Sequence, residues 1–293
     1  MKKWLWLVGI LAVGLTGVAR AETDFLEAGP PPGWLAQLYQ IYFHADDFSR
    51  DDIPIDGFDL DAYNALLRVA YFDKAGPLVH TIIPFTYIDE DVRINAGGSR
   101  LKFFGDSDAG LGDIFVGGGW RWINEDKDLF FIAGGDLRLP TGEFSNHADA
   151  SSPAFVPFRD AVNIGSGSLS AQPFVILTKL WDKGRWASDT ELRYDVNTSA
   201  GPINYNPDDK LEVWQNISYG LTPHLRVGPM FKGEFEIEDA DGDHDHSVFT
   251  AVGPGVFWSR DQWALWGKVL FDVYSADAPE DTILLYLRLS YHF

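Results

Sequence analysis

Twelve charged side chains sit at alternate positions within stretches that are otherwise rich in apolar, small or aromatic residues. They are Arg68, Asp113, Arg121, Asp136, Arg138, Glu191, Arg193, Arg226, Lys232, Glu234, Lys268 and Arg288. In an extended chain every second residue shares one face, so such charges line one side of a sheet. Two kinds of chemistry suit that placement. A ladder of Arg and Lys can guide an anionic solute, such as an aromatic acid, by the ring-of-charge logic of pores. Alternatively, opposite charges on neighbouring strands pair across the interior and hold the wall in shape. Eight of the twelve are cations and four are anions, so each acid has a cation to meet across the strands, and pairing is taken as the first role.

Other chemistry is thinner. Asp239, Asp241, Asp243, His244, Asp245 and His246 form an acidic, His-bearing stretch. Clustered carboxylates suit a divalent cation such as Ca²⁺, and His adds a softer donor. The spaced Glu that closes a standard calcium loop is missing. A solvated loop is therefore the better reading, with Asp241, Asp243, His244 and His246 as weak metal candidates. The chain has no GxSxG, HExxH or phosphate-loop motif. Its strand histidines, His80 and His292, lie in no motif of an outer-wall Ser-His hydrolase. Neither a catalytic role nor a cofactor is expected.

The elements that position the charges are strands. Asp113 to Gly142 reads as one hairpin. Ile114, Val116, Gly118, Trp120 and Trp122 share a face in the first arm, as do Leu129, Phe131, Ala133, Gly135, Leu137 and Leu139 in the second. Charge falls on the opposite faces, and the polar run Asn124 to Asp128 makes the turn. Glycines Gly117, Gly118, Gly119, Gly134 and Gly135 ease curvature or thin the wall. Similar alternation recurs near 34–44, 60–73, 77–89, 112–123, 128–140, 163–180, 185–197, 210–221, 224–238, 247–259, 262–274 and 281–293, which predicts about twelve strands. Connectors alternate in length: Lys74 to Gly76, Asn124 to Lys127, Trp181 to Gly184, Leu221 to Pro223 and Ser259 to Asp261 are short. Ala45 to Asp59, Glu90 to Leu111, Thr141 to Val162, Thr198 to Asp209, Asp239 to His246 and Ser275 to Glu280 are long. Short turns at one end and long loops at the other is the layout of a transmembrane antiparallel up-and-down β-barrel of the bacterial outer-membrane type. A soluble sandwich would need the apolar faces packed in a dry core, and it gives no reason for alternating connector lengths.

The start agrees. Lys2 and Lys3, the apolar run Trp4 to Val18 and the small residues Ala19-Arg20-Ala21 predict a signal peptide over 1–21. An irregular segment over 22–33, with Pro30 to Pro32, precedes a barrel over 34–293. The whole chain carries a net charge of −20, and losing Lys2, Lys3 and Arg20 takes it to −23. That excludes a phosphate-binding surface for nucleic acid. No cysteine is present, so disulfides and thiolate metal sites are excluded too.

The last strand runs ILLYLRLSYHF and stops at Phe293. A terminal aromatic on an alternating strand resembles the signal read by the barrel assembly machinery, which makes that machinery and outer-membrane lipid the expected partners. Gly110-Leu111-Gly112-Asp113 and Leu139-Pro140-Thr141-Gly142-Glu143-Phe144 look like two signatures of a Gram-negative outer-membrane family named for the meta-pathway of phenol degradation. Pro30-Pro31-Pro32-Gly33-Trp34, Tyr39, Tyr42 and Ala45-Asp46 resemble its subgroup related to a sphingosine-responsive protein. That resemblance implies a barrel admitting small hydrophobic or aromatic compounds, and it places the two signatures at turns. The rival expectation is a non-transport barrel with a structural or adhesive role through its loops, its lumen blocked by 22–33 and the loop Thr141 to Val162.

Overall fold

In a computed structural model of the chain, residues 30–50, 53–55, 58–96, 99–142, 164–165, 168–198, 209–238, 247–276 and 279–293 are described. The expected signal peptide, residues 22–29 and the Asp239 to His246 stretch lie outside them. The strands are β1 (Gly33–Ala45), β2 (Asp47–Arg50), β3 (Ile53–Ile55), β4 (Phe58–Phe72), β5 (Pro77–Ala96), β6 (Ser99–Leu111), β7 (Ile114–Asn124) and β8 (Leu129–Leu139). They continue with β9 (Ser170–Trp181), β10 (Trp186–Asn197), β11 (Asp209–Thr222), β12 (Leu225–Glu238), β13 (Val248–Arg260), β14 (Trp263–Ala276), β15 (Pro279–Glu280) and β16 (Ile283–His292).

Twelve of these form a closed antiparallel ring, in the order β4-β1-β16-β14-β13-β12-β11-β10-β9-β8-β7-β5. The β4–β5 ladder closes it, from Phe58↔Val92 to Phe72↔Leu78. Closure pairs the backbone groups that an open sheet would leave bare at its edges, and lipid cannot satisfy such groups. No helix among the described residues is long and apolar enough to cross a membrane; the crossing elements are the strands.

Burial is inverted relative to a soluble protein. Leu67, Val79, Phe85, Leu137, Leu192 and Val252 are exposed, whereas Asp113, Arg121, Asp136, Arg226, Lys268 and Arg288 are buried. Large apolar side chains facing outward along every wall are stable only against hydrocarbon. The barrel is that of a bacterial outer-membrane protein. Rings mark both borders of the apolar band. At the short-turn end the register partners Trp34 and Tyr71, Trp122 and Phe131, Trp186 and Tyr219, and Trp263 and Tyr291 pack in tilted pairs at centroid distances of 5.2, 5.3, 4.8 and 4.6 Å. At the other end Tyr42, Tyr63 and Tyr87 share one register row. Trp34 and Tyr42 are eight residues apart on β1, roughly 27 Å of strand at about 3.4 Å per residue. With strand tilt this matches an apolar band of about 25 Å or slightly less.

Three sequence expectations change. Glu90 to Leu111, expected as a loop, is a hairpin: β5 continues to Ala96 and returns as β6, paired from Ala96↔Ser99 to Phe85↔Leu111. Asp89, Glu90 and Asp91 interrupt the apolar alternation of β5 there, and Val92, Ile94 and Ala96 resume it only briefly. The strand expected over 163–180 begins at Ser170 instead. Ile164 and Gly165 turn aside to pack on Gly110, Gly112 and Gly142, where a Cβ on Gly142 would meet Gly165 Cα at 2.7 Å. The stretch Ala45 to Asp59 also carries β2 and β3, which join β15 in a small three-stranded sheet at the long-loop end.

The two signature segments meet at one joint. Between β6 and β7 the chain bends at Gly112 and Asp113. The N–H of Gly142 donates to Asp113 Oδ1 at 2.9 Å, and that of Ile114 donates to Thr141 Oγ1 at 2.9 Å. The Thr141 hydroxyl in turn donates to the Gly112 carbonyl at 3.3 Å.

Candidate functional site

A cavity of about 230 Å³ lies inside the ring, lined from nine of its strands. Five of the twelve charged candidates border it: Arg68, Glu191, Arg193, Lys268 and Arg288. Charge is segregated around this wall. Arg68, Arg288 and Lys268 come from β4, β16 and β14, which are contiguous through β1. Asp189, Glu191 and Glu212 come from the neighbouring strands β10 and β11, with Arg193 as the cation among them. A solute in the cavity therefore lies across a field running from one half-wall to the other, and low surrounding polarity strengthens that field.

On the cationic half-wall, cross-strand partners alternate between cation and ring. Trp266 faces Arg288, and Lys268 faces Tyr286, across the β14–β16 ladder. The Arg288 guanidinium lies 4.5 Å from the Trp266 ring centre. Lys268 Nζ is 4.2 Å from the Tyr286 ring and 4.2 Å from Trp214, which reaches in from β11. Such contacts hold a cation in place through the ring quadrupole while leaving its formal charge in the lumen.

The acidic half-wall is tied to the cationic one by a hydrogen-bonded chain. Arg68 Nε donates to His80 Nδ1 at 3.0 Å, so the imidazole proton sits on Nε2, which meets Asp136 Oδ1 at 2.5 Å. Asp136 Oδ2 accepts from Arg193 Nη1 at 2.6 Å, and Arg193 Nη2 pairs with Glu191 at 3.0 Å. His80 is on β5 and Asp136 on β8, with β7 between them; in register the row reads His80, Gly117, Asp136. The two side chains meet across β7 because Gly117 has none. A Cβ there would stand 1.9 Å from Asp136 Oδ1 and 2.6 Å from His80 Nε2.

The remaining candidates are placed elsewhere on the inner face. Arg138 donates to Asn197 Oδ1 at 2.5 Å and lies 3.5 Å from Asp195; Asp113 belongs to the joint between the signature segments. Lys232 pairs with Glu234 and lies 5.2 Å from the Trp214 ring. Arg226 donates to the carbonyls of Gly184 and Arg185 at 2.7 and 3.2 Å, clamping a short turn. Arg121 donates to the Pro30 carbonyl and lies 5.3 Å from the Phe72 ring. Asp189 and Glu212 are not among the charged candidates, and charge could not single out Tyr39, His80, Trp214, Trp266 and Tyr286; all seven also border the cavity. Their positional parity could have found them: Trp214 shares a face with Glu212, Trp266 with Lys268 and Tyr286 with Arg288.

The metal candidates Asp241, Asp243, His244 and His246 lie outside the described residues. Among the described residues, His44, Asp59 and Asp61 bring donor atoms within 4.8 Å of one another at the long-loop end. Asp61 there accepts from the Tyr42 hydroxyl at 2.5 Å and meets His44 Nδ1 at 2.9 Å.

The sequence pattern of the family described as "Putative MetA-pathway of phenol degradation" matches residues 45–289. Among solved structures, an outer membrane channel from Pseudomonas putida F1 superposes with a TM-score of 0.73 at 16% identity, over 94% of this chain and 100% of that one. The translocator domain of the autotransporter NalP from Neisseria meningitidis superposes with a TM-score of 0.50 at 7% identity, over 90% of this chain and 89% of that one. At these identities the likeness is one of fold. A sequence search of curated proteins finds no match.

Proposed function

The chain belongs to that phenol-degradation family, and from this premise we propose that it is an outer-membrane channel for uptake of small hydrophobic or aromatic compounds. The observation that carries the reading is the cavity inside a closed, lipid-facing barrel, lined by rings and charges together. A channel interior needs polar groups to replace hydration and apolar faces to accept a ring, and this wall supplies both. That the solved relative from Pseudomonas putida F1 is an outer membrane channel supports the same role here. Both ends of the barrel chain meet at the short-turn side, where the N–H of Phe293 donates to the Trp34 carbonyl at 2.9 Å. This suits short turns in the periplasm and long loops outside.

The test is permeation through liposomes carrying the refolded protein, with a small sugar, an aromatic acid and a neutral phenol each read against empty liposomes. Passage of the aromatics well above that background, with the sugar retained, is the expected result. Free passage of the sugar would make the barrel a general diffusion pore. No flux of any solute would overturn transport and move the structural or adhesive role through the loops to the front.

We also assign Phe293 as the assembly signal. Its ring is exposed beside Tyr291, at a centroid distance of 4.8 Å. It packs in no core, so Phe293→Ala is expected to leave refolding in detergent within about 0.5 kcal/mol of the parent. In cells the same change is expected to lower the amount of folded barrel in the outer membrane severalfold. Equal yields of the two proteins in isolated outer membranes would remove the assignment.

A further inference from the structure

We propose that the cavity holds a specific subsite for a small aromatic carboxylate, bound with its charged end toward Lys268 and Arg288 and its ring among the aromatic side chains beside them. The inference rests on the channel reading and narrows its substrate class from aromatic compounds in general to aromatic monoanions.

Three features of the wall support it. The first is size. An apolar cavity of about 150 Å³ holds one benzene, so about 230 Å³ is room enough for one ring with a carboxylate. The second is the arrangement of Lys268 and Arg288. Their charged groups rest on the faces of Tyr286, Trp214 and Trp266 at 4.2 to 4.5 Å. Ring surface and positive charge thus occur within one side chain's reach of each other. An arene with a carboxylate matches this pattern. A neutral hydrocarbon makes no charge contact with them, and a simple inorganic anion leaves the rings uncovered.

The third is the opposite wall. Asp189, Glu191 and Glu212 border the same cavity from β10 and β11. Their carboxylates repel a second negative charge and orient a single-charged solute with its anionic end toward β14 and β16. They also disfavour aromatic dianions. An aromatic ammonium would be drawn the other way, toward Asp189, Glu191 and Glu212, which takes its charge away from Lys268 and Arg288. The subsite therefore discriminates by sign as well as by ring.

The experiment is a ligand-observed ¹⁹F NMR titration of the full barrel in detergent with 4-fluorobenzoate, 4-fluorobenzylammonium and fluoroacetate. Flux of the same three probes is measured in liposomes. Saturable binding of 4-fluorobenzoate is expected, with the other two weaker by about tenfold or more, the scale of losing one charge-assisted contact or one buried ring face. Lys268→Met should weaken 4-fluorobenzoate about tenfold while Lys268→Arg retains it, and Arg288→Gln provides the same test independently should Lys268→Met not fold. Equal binding of the ammonium probe, or wild-type affinity in the folded Lys268→Met and Arg288→Gln proteins, overturns the subsite. Flux without discrimination by sign sinks the subsite and leaves the channel standing. Saturable binding of the carboxylate without flux leaves the subsite and removes the channel.

Discussion

Gly117→Ala is expected to lower the unfolding free energy of the refolded barrel by roughly 3 kcal/mol. An ordinary strand predicts the opposite sign, because replacing Gly by Ala at a compatible position stabilises by about 0.4–1 kcal/mol through the unfolded chain. Here the new methyl would occupy the space in which Asp136 and His80 meet, 1.9 Å from one carboxylate oxygen and 2.6 Å from the imidazole. The Asp136 side chain is fully buried. Pushing it from His80 strands half of a carboxylate in a site that water does not reach, which is among the costliest changes available to a folded chain. Chemical unfolding in detergent, followed by far-UV circular dichroism, measures the loss. A double-mutant cycle assigns it: in an Asp136→Ala background, where the clashing carboxylate is gone, the same glycine change should cost about 1 kcal/mol or less. Additive effects would show that the glycine serves curvature and that the contact across β7 is incidental.

The wall was legible in the sequence because lipid writes a period of two onto it. Leu137, Asp136 and Arg138 alternate outward and inward as their positions require, and the same holds for Leu192 between Glu191 and Arg193. Where lipid ends, so does the signal. The hairpin of β5 and β6 beyond Asp89 opens on the acidic run Asp89-Glu90-Asp91 and alternates only briefly at Val92, Ile94 and Ala96. Yet it pairs from Phe85↔Leu111 to Ala96↔Ser99 with one register shift at Val92/Arg93. Inward parity identified which charges face the interior but not at what height they sit. Arg121 and Arg226 share the inward face with Arg193, yet they hold backbone carbonyls at the short-turn end while Arg193 borders the cavity. Height depends on register and barrel closure, which are long-range properties. The glycines show the same limit from another side. Gly117 has a reason to be glycine only once β5 and β8 flank β7, which brings together residues as distant in the chain as His80 and Asp136.

The two half-walls have different mechanical roles, which the chain of hydrogen bonds makes explicit. Lys268 and Arg288 rest on ring faces and border the cavity, so a solute inside it meets them directly. Arg193 is held by two carboxylates and Gln172, the amide oxygen of which it meets at 3.1 Å. The first set is suited to bind transiently and the second to fix the shape of the cavity that the first set needs.

Arg193→Met is the change that separates these roles, and its expected cost is about 3–5 kcal/mol. The guanidinium is the bridge between Asp136 at 2.6 Å and Glu191 at 3.0 Å, and it lies 5.2 Å from the Phe174 ring. Methionine keeps the contact with the ring but leaves both acids without their cation. Removing one partner of a buried pair is far more damaging than removing both. The double variant Arg193→Met with Asp136→Leu should therefore recover at least half of the lost stability, provided the leucine fits beside Gly117. Ion selectivity is the second readout, measured as the reversal potential of single channels in a salt gradient. With Arg193 gone, the half-wall of Asp189, Glu191 and Glu212 has lost its one bordering cation, so selectivity should move toward cations, more strongly at low salt where screening is weak. A variant that lost stability but kept its reversal potential would confine Arg193 to the frame of the barrel and leave permeation to the wall of Lys268 and Arg288.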